Sequence, residues 1–445
     1  MLTLLVSLAL TSGPILQHLP SCSGNPFASR TKVRTWSGPY FMDPLCSGSP
    51  VVFRITNGIV TAGPAISDLR ASTATHFTNR VLSTAASNTT RVELLPDGGG
   101  GILIEGPGAN TALQSVDMSN AAWTPQAGTT LTGASGSFLD GTNTMTSVAV
   151  GAIGVAAGGE YQLDTVPSST GPWTMSAYVA AASGTVQVSV APTLNAAQVI
   201  STCTCGTSDP TVSCAALITN TSRTCQATAT VGLATTRVWA TFTASTAQTG
   251  VYAQIWPGTY LASASLSVLA AGAQLEAQGW PSSYIPTLST AVARAADRIT
   301  ATSSFTLPPT AMSMAADVLI FGANASGFNT YLGISQDTNN NYQHYSVQPP
   351  NVQSDIVALF AGVGHSEVNA NTIAVGTQMH TVAKYDGVNL YSCANGICGA
   401  LPLSASGAMT IGTILIGDNL ASPGTYALNG YLKNACVANT PLGCP

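Results

Sequence analysis

The chain has 445 residues and a net charge of −5, and only 7% of its residues are charged, against about 25% in an average soluble domain. Its length allows two or three domains, and its 45% hydrophobic content excludes a disordered polypeptide. No Lys or Arg occurs between Arg91 and Arg223, so this stretch lacks a phosphate-binding groove, and nucleic acid is not an expected partner.

The N-terminus contains the apolar run LTLLVSLAL within residues 1–21. The run has the length of a signal peptide and is too short to span a bilayer. It lacks a preceding Lys or Arg, and no A-x-A cleavage site follows it. Residues 1–21 are therefore interpreted as a signal or, alternatively, as a buried strand or assembly segment. Residues 22–66 form an N-terminal segment without a recognisable motif.

The ten cysteines occur in close local groups, which predicts disulfides and an oxidising compartment. A direct bridge between Cys203 and Cys205 would be strained, so each is expected to pair with Cys214 or Cys225. Free thiols and a zinc site are the alternatives, although the C-x₂-C spacing of a zinc knuckle is missing. The disulfide candidates are Cys22, Cys46, Cys203, Cys205, Cys214, Cys225, Cys393, Cys398, Cys436 and Cys444.

Six apolar runs between residues 111 and 288 alternate with turns rich in Gly, Pro, Ser and Asn, which predicts a β-sandwich. These runs are TMTSVAVGAIGV, EYQLDTV, WTMSAYVAA, TVQVSVAP, TRVWATFTA and VYAQIWPG. Before them, GGGG is predicted to be a flexible turn, and residues 102–104 a buried strand. The fold class expected from these patterns is all-β.

The stretch from Gly272 to Arg298 reads GAQLEAQGWPSSYIPTLSTAVARAADR. Its order of QLE, SYIPT and RAAD resembles the junction in phage virion proteins of the tail-fibre and head-spike type. Flanking matches include DLRASTATHF, GGGGILIEGPGANTALQSVDMSNAAW, MHTVAKYDGVNLYSCANGICGA and LNGYLKNACVAN, so the resemblance covers roughly residues 67–445. One departure is that Gly108-Ala109 stands where the family has an Arg before the Asn.

The resemblance implies two β-sandwich domains of the jelly-roll type in series. Residues 67–110 are expected to form a lead-in segment packing on the first sandwich, and residues 111–288 a carbohydrate-binding-module-like jelly roll. A linker at 289–299 then leads into a concanavalin A/laminin-G-like sandwich at 300–445.

No catalytic constellation is present in the sequence, and we predict that the protein is not an enzyme. The five Glu residues do not form the E-x-D-x-E strand of sandwich glycosidases, and no G-x-S-x-G or H-E-x-x-H motif occurs. No cofactor or catalytic metal is expected. A structural Ca²⁺ bound by Glu105 or Asp117 is one alternative, and capping of backbone amides by such residues is the other.

A ligand site is predicted where Asn and Tyr residues cluster, at Asn339, Asn341, Tyr342 and Tyr345. Amides can bind sugar hydroxyls, and aromatic faces can pack on sugar C–H groups. The alternative is an Asn-rich hairpin turn. Trp280, next to Pro281, is interpreted as a further surface contact or as a core residue. The other tryptophans of the first sandwich are expected in the core, with sugar stacking as the alternative: Trp123, Trp173, Trp239 and Trp256.

Together these patterns and the resemblance predict a non-enzymatic surface-recognition protein that binds glycans as part of a virion fibre or spike. The expected location is extracellular or on the virion surface. Other virion proteins are expected partners, and the family favours a homo-oligomer, most often a trimer. The alternatives are a purely structural fibre or decoration protein and a secreted, prophage-derived bacterial lectin-like protein.

Overall fold

The computed structural model describes residues 51–439 except 79–80, 96–98, 152–157, 182–184, 192–199, 208–213, 217–224, 231–234, 245, 258–265, 308–311, 323–328, 336–341, 349–352, 361–362, 373–377, 386–388, 396, 403–408 and 419–426. Within these residues every regular element is a β-strand and none is a helix, so the predicted all-β class is confirmed. The described part of the chain contains no helix long and apolar enough to cross a membrane.

The N-terminal part contributes eight short strands. They are β1 (Val51–Thr56), β2 (Ile59–Ala62), β3 (Ser67–Asp68), β4 (Ala74–Thr78), β5 (Val81–Ala85), β6 (Arg91–Leu94), β7 (Gly100–Ile104) and β8 (Gly108–Asn110). The β7 strand contains the predicted residues 102–104, which are buried.

The first sandwich consists of two six-stranded antiparallel sheets. Its strands are β9 (Thr124–Pro125), β10 (Thr129–Ser137), β11 (Thr144–Val150), β12 (Glu160–Ser169), β13 (Trp173–Ala181), β14 (Thr185–Ala191), β15 (Ile200–Thr207), β16 (Cys214–Ala216), β17 (Cys225–Thr230), β18 (Thr236–Ala244), β19 (Gln248–Pro257) and β20 (Leu266–Glu276). Sheet 1 has the order β10-β11-β20-β13-β18-β15, and sheet 2 has the order β16-β17-β14-β19-β12-β9.

Alternation of side chains explains how these two sheets form one core. Val186, Val188 and Val190 of β14 point inward from sheet 2, and Met175 and Ala177 of β13 point inward from sheet 1. All six apolar runs predicted from the sequence contribute strands to this sandwich.

The second sandwich also consists of two sheets. Its strands are β21 (Val292–Arg294), which leads into it, β22 (Ile299–Leu307), β23 (Met312–Ile320), β24 (Asn329–Ser335), β25 (Tyr342–Gln348), β26 (Gln353–Phe360), β27 (Val363–Thr372), β28 (Gln378–Tyr385), β29 (Asn389–Ala394), β30 (Ile397–Pro402), β31 (Met409–Ile416) and β32 (Gly430–Ala438). Sheet 3 has the order β2-β1-β32-β23-β28-β29-β30, with β7 also paired to β32 and β6 paired to β7. Sheet 4 has the order β27-β26-β25-β24-β31-β22-β3.

The N-terminal strands complete this second sandwich. The β1 and β7 strands both hydrogen-bond to β32, and β3 pairs with β22. Phe53, Ile55, Ile102 and Ile104 lie in the core between sheets 3 and 4. The expectation that residues 67–110 pack on the first sandwich is therefore wrong for β3, β6 and β7, because β32 and β22 offer them backbone partners and an apolar core.

The β4–β5 hairpin and β8 of this segment contact the first sandwich. Asn110 Nδ2 donates to Ala273 O at 3.0 Å, and Asn110 Oδ1 accepts from Leu275 N at 3.0 Å. Leu82 packs with Phe138, Tyr178 and Tyr284 in a small cluster beside the main core. The lead-in segment thus contacts both sandwiches.

The stretch predicted as a linker, residues 289–299, is partly structured. The β21 strand pairs with β8, and Ile299 opens β22. Arg294 and Asp297 are buried, whereas Leu288, just before the stretch, is exposed. These residues therefore hold the two sandwiches together.

Candidate functional site

The ligand site predicted from the sequence is only partly covered by the structure. Asn339 and Asn341 lie outside the described residues. Tyr342 and Tyr345 are in β25, where the pairing with β26 is regular. Contact of these residues with a ligand stays a prediction.

The register gives the backbone neighbours of both positions. Position 345 pairs with Leu332 of β24, and position 342 pairs with Ser335.

Trp280 is buried, with 5% of its surface exposed. Its ring lies 6.4 Å from that of Phe321, and a Cβ on Gly322 would be 2.1 Å from the indole. A surface contact by Trp280 is thus not what the structure shows, because the ring fills the space between the junction and the second sandwich. Trp123, Trp173 and Trp256 are also buried, whereas Trp239 is half-buried.

The QLE and SYIPT residues of the junction form a turn closed by side chains. Glu276 accepts hydrogen bonds from Ser282 N at 2.8 Å, Ser282 Oγ at 2.5 Å and Gln274 Nε2 at 2.6 Å. Gln274 Oε1 accepts from Ile285 N at 2.6 Å. Burial raises the pKa of Glu276 despite these bonds. Gln274, Glu276 and Ser282 therefore stabilise this turn through hydrogen bonds to one another and to the backbone.

A buried ion cluster joins this junction to the N-terminal segment. Arg70 Nη1 lies 3.1 Å from Asp68 Oδ2 and 2.6 Å from Asp297 Oδ1. Arg91 pairs with the other oxygen of Asp297. All four side chains are fully buried. Each buried charge needs an oppositely charged partner, because an unpaired charge at this depth would lose its hydration and destabilise the folded state.

Glu105 continues the cluster. Its Oε2 lies 2.9 Å from Arg91 Nη1 and 3.5 Å from Arg294 Nη1, and its Oε1 accepts from Ser283 N at 2.6 Å. Burial alone would raise the pKa of Glu105, but Arg294 and Arg91 hold it at about 2. The cluster thus contains three carboxylates and three guanidinium groups.

These contacts bear on the Ca²⁺ alternative. Glu105 is engaged by two arginines, so it does not fit a calcium site. Asp117 Oδ1 accepts from Ser119 N at 3.1 Å and from Ser119 Oγ at 2.6 Å, which is the capping alternative. Among the described residues no group of three or more His, Cys, Asp or Glu side chains is placed to hold a metal ion.

One acid–histidine pair was not anticipated from the sequence, because its members are on different strands. His380 Nδ1 lies 2.5 Å from Asp317 Oδ1, and Asn434 Nδ2 donates to Asp317 Oδ2 at 2.7 Å. His380 Nε2 is buried without a hydrogen-bond partner among the described residues. A nucleophile would have to face that nitrogen for acyl-transfer chemistry, and none of the described hydrogen bonds supplies one.

Tyrosine and amide side chains lie together on the outer face of sheet 2, and we call this set the tyrosine–amide face. It is defined by Tyr161, Leu163, Gln187, Ser189, Tyr252 and Gln254, which alternate with the core residues of β12, β14 and β19. The sequence signal was the alternation of Tyr, Gln and Ser with Val, Ala and Ile in EYQLDTV, TVQVSVAP and VYAQIWPG.

The register places these side chains in rows. Gln254 is directly opposite Tyr161 on one side and Ser189 on the other. Tyr252 is opposite Leu163, and the rings of Tyr161 and Tyr252 lie 5.7 Å apart at 65°. Adjacent strands are about 4.8 Å apart, and alternate residues on a strand about 6.7 Å apart. The face therefore places an aromatic pair next to a row of amide and hydroxyl groups.

Exposure decreases along this face from β12 toward β14. Leu163 is 56% exposed, Tyr161 and Tyr252 are half-buried, and Gln254 and Ser189 are fully buried. Gln254 Nε2 lies 3.4 Å from Ser189 Oγ, but Gln254 Oε1 has no donor among the described residues. Gln254 and Ser189 are therefore closed off from a ligand. Among the residues that define the face, the accessible ones are Tyr161, Leu163 and Tyr252.

Two carboxyl groups lie on the opposite, inner side of β12. Glu160 is opposite Ile255 and Asp164 is opposite Val251, both core residues. Burial raises the pKa of Glu160 well above its usual value and raises that of Asp164 to about 7. Both groups therefore point away from the tyrosine–amide face.

The structure shows two of the ten cysteines in disulfide bonds. Cys393 and Cys436 are each disulfide-bonded. Cys393 lies directly opposite Cys398 in the β29–β30 ladder. Cys203 and Cys205 are in β15, Cys214 is in β16 and Cys225 is in β17, and these strands meet at one edge of the first sandwich. Cys22, Cys46 and Cys444 lie outside the described residues.

Comparisons with known proteins do not assign a family. No protein-family model and no curated protein matches the chain. Matching solved structures include domains LG4-5 of the mouse laminin α1 chain, at 9% identity and a TM-score of 0.22, covering 65% of this chain and 86% of that one.

Two further matches are to an alginate lyase and to a pair of carbohydrate-binding modules. An alginate lyase from Alteromonas sp. 272 has 10% identity and a TM-score of 0.22, covering 32% of this chain and 76% of that one. The CBM22-1–CBM22-2 tandem of Paenibacillus barcinonensis Xyn10C has 8% identity and a TM-score of 0.24, covering 75% of this chain and 98% of that one. TM-scores of this size support no argument about function.

Proposed function

We propose that this protein is a non-enzymatic surface-recognition protein that binds glycans through the tyrosine–amide face of its first sandwich. The observation that carries the proposal is the half-buried aromatic pair of Tyr161 and Tyr252 next to the exposed Leu163 on the outer face of sheet 2. Tyrosine rings pack on the C–H faces of sugars, and their hydroxyl groups exchange hydrogen bonds with sugar hydroxyl groups.

The wider setting proposed for this activity is a virion fibre or spike, with attachment to host-surface glycans and contacts to other virion proteins. The support is the likeness of the junction sequence from Gly272 to Arg298 to that family. Single sites for sugars are weak, so adhesion requires several copies, and a homotrimer would supply them. The proposed location is accordingly extracellular or on the virion surface.

A purely structural virion part is the second candidate, and the buried ion cluster favours it. Arg70, Arg91 and Arg294 bind three carboxylates from the N-terminal segment and the junction. Such a network fixes one arrangement of the two sandwiches, as a fibre or decoration protein requires. It does not account for the aromatic pair on the outside of sheet 2.

A glycan array tests the proposal. The parent protein should give reproducible signals, and the double variant Tyr161→Ala/Tyr252→Ala should lose at least tenfold in affinity, or about 1–3 kcal/mol per lost ring contact. Tyr391→Ala is a matched control, because Tyr391 is a half-buried tyrosine on the other sandwich.

The array experiment distinguishes the two candidate functions. Silence of the folded parent protein on the array would support the structural alternative. Unchanged binding by the double variant would place any glycan site elsewhere, with the Tyr342 region as the next candidate.

A further inference from the structure

We infer that the tyrosine–amide face takes a neutral, hydroxyl-rich glycan and rejects uronate, sulfated and phosphorylated polymers. This inference rests on the proposed function and specifies the chemical class of its ligand.

The strands that form this face place no charged side chain on it. The six strands of sheet 2 contain no Lys or Arg, and their only acidic residues are Glu160 and Asp164. Both are on the inner side of β12, opposite Ile255 and Val251. The outer face therefore presents only uncharged side chains from its strands.

The one basic side chain that the structure describes in the first sandwich already has partners within the protein. Arg237, in β18 of sheet 1, donates to Ser282 O at 2.5 Å and to Ser176 Oγ at 3.0 Å, and it lies over the ring of Tyr178. Anionic groups on ligands are normally recognised by bidentate Arg or by Lys. A carboxylate or sulfate on this face would lose its water without gaining such a partner.

The accessible part of the face is aromatic and apolar. Tyr161 and Tyr252 are half-buried and Leu163 is exposed, whereas Gln254 and Ser189 are fully buried. Tyrosine rings and a leucine side chain pack on the C–H groups of a neutral sugar, and the tyrosine hydroxyl groups can bond to its hydroxyl groups. A carboxylate or sulfate would meet no positive charge among these three side chains.

Affinity electrophoresis with matched polymers tests this inference on the full-length protein. Dextran, galactomannan, glucomannan and laminarin are the neutral probes, and dextran sulfate, alginate and polygalacturonate are the anionic ones, each in 20 mM and 300 mM NaCl. We expect at least one neutral polymer to bind tenfold more tightly than every anionic one, with less than a twofold effect of salt.

A pair of variants tests the local charge directly. Leu163→Asn and Leu163→Asp have nearly the same shape, and the exposure of Leu163 makes both compatible with folding. If the ligand is neutral, the two variants should bind the best polymer within twofold of one another. A loss at least fivefold larger for Leu163→Asp would overturn the inference.

The failure of the inference and the failure of the proposed function are distinguishable. Preferential, salt-sensitive binding of an anionic polymer would overturn the neutral class but leave glycan binding standing. Absence of binding to every polymer and on the glycan array would remove the proposed function and the inference together.

Discussion

Arg70 Nη1 lies 2.6 Å from Asp297 Oδ1, although the two residues are 227 positions apart in the sequence and both side chains are fully buried. Arg70 follows β3 in the N-terminal segment, and Asp297 precedes β22 in the junction. The ion pair therefore fixes the N-terminal segment, just after β3, to the point where the second sandwich begins.

Replacement of this carboxylate should be strongly destabilising. Asp297→Asn leaves Arg70 and Arg91 with too little negative charge, and breaking a buried pair costs about 3–5 kcal/mol. Urea unfolding of the parent and the variant measures the loss. Asp117→Asn, at an exposed turn, is the control and should change stability by less than about 1 kcal/mol. A loss below about 1 kcal/mol for Asp297→Asn would contradict a compensating role for the cluster.

The buried Asp164 predicts an unusual pH dependence of stability. Its pKa is raised by burial from 3.8 to about 7 in the folded protein. Because the folded state holds the proton more tightly, the contribution is favourable below pH 4 and is lost as the pH rises through about 7. Asp164→Asn should therefore increase the free energy of unfolding at pH 8, by about 4 kcal/mol at most, and should have little effect at pH 3.5.

Unfolding curves of the Asp164→Asn variant between pH 3.5 and pH 8 check this prediction. Asp140→Asn is an instructive control, because hydrogen bonds from Asn143 and Thr142 lower the pKa of Asp140. Removing it should cost stability at neutral pH instead. A destabilised Asp164→Asn variant at pH 8 would mean that the ionised carboxylate has a partner in the folded protein.

The strand exchange between the two halves predicts that a cut chain will not separate. Leu288 and the residues following it up to Ala293 are exposed, so elastase should cleave there. The pieces should nevertheless elute together in gel filtration, because β1, β3 and β7 remain paired with strands of the second sandwich. A denaturing gel of the same sample should show two fragments. Separate native peaks would contradict the pairing of the N-terminal strands with β32 and β22.

Peptide mapping without reduction should find Cys393 linked to Cys398. Cys393 is disulfide-bonded, and Cys398 is its direct neighbour across the β29–β30 ladder. Few or none of the ten thiols should react with a maleimide after denaturation without reductant. Extensive reaction would indicate a reducing compartment and would contradict export.

The two tyrosines predicted from the sequence as ligand contacts can be tested by truncation. Tyr342→Ala and Tyr345→Ala should each weaken glycan binding at that site by about 1–3 kcal/mol and alter the melting temperature little, because a stacked ring on a sugar contributes about this much. Binding equal to that of the parent, together with melting temperatures many degrees lower, would show that these tyrosines are core residues.

Several features of the fold were determined by the sequence alone. Local alternation in runs such as WTMSAYVAA and TVQVSVAP is sufficient to predict strands, because one sheet face must be apolar to form a core. The buried strand at residues 102–104 and the core positions of Trp123 and Trp173 follow from the same reasoning. Trp256 is also buried, but the alternation along β19 places it on the side of Tyr252 and Gln254 and not in the core, which the sequence pattern alone did not indicate. The order of two sandwiches also followed from the sequence, through the resemblance of the junction.

The tertiary structure decided which strands pair across large separations. Nothing local indicates that β7 joins β32 or that Arg70 meets Asp297, because hydrogen bonds and buried charges are satisfied only once distant segments come together. The same holds for the tyrosine–amide face. Each of its strands shows alternation, but only the register of β12, β19 and β14 brings Tyr161, Gln254 and Ser189 into one row.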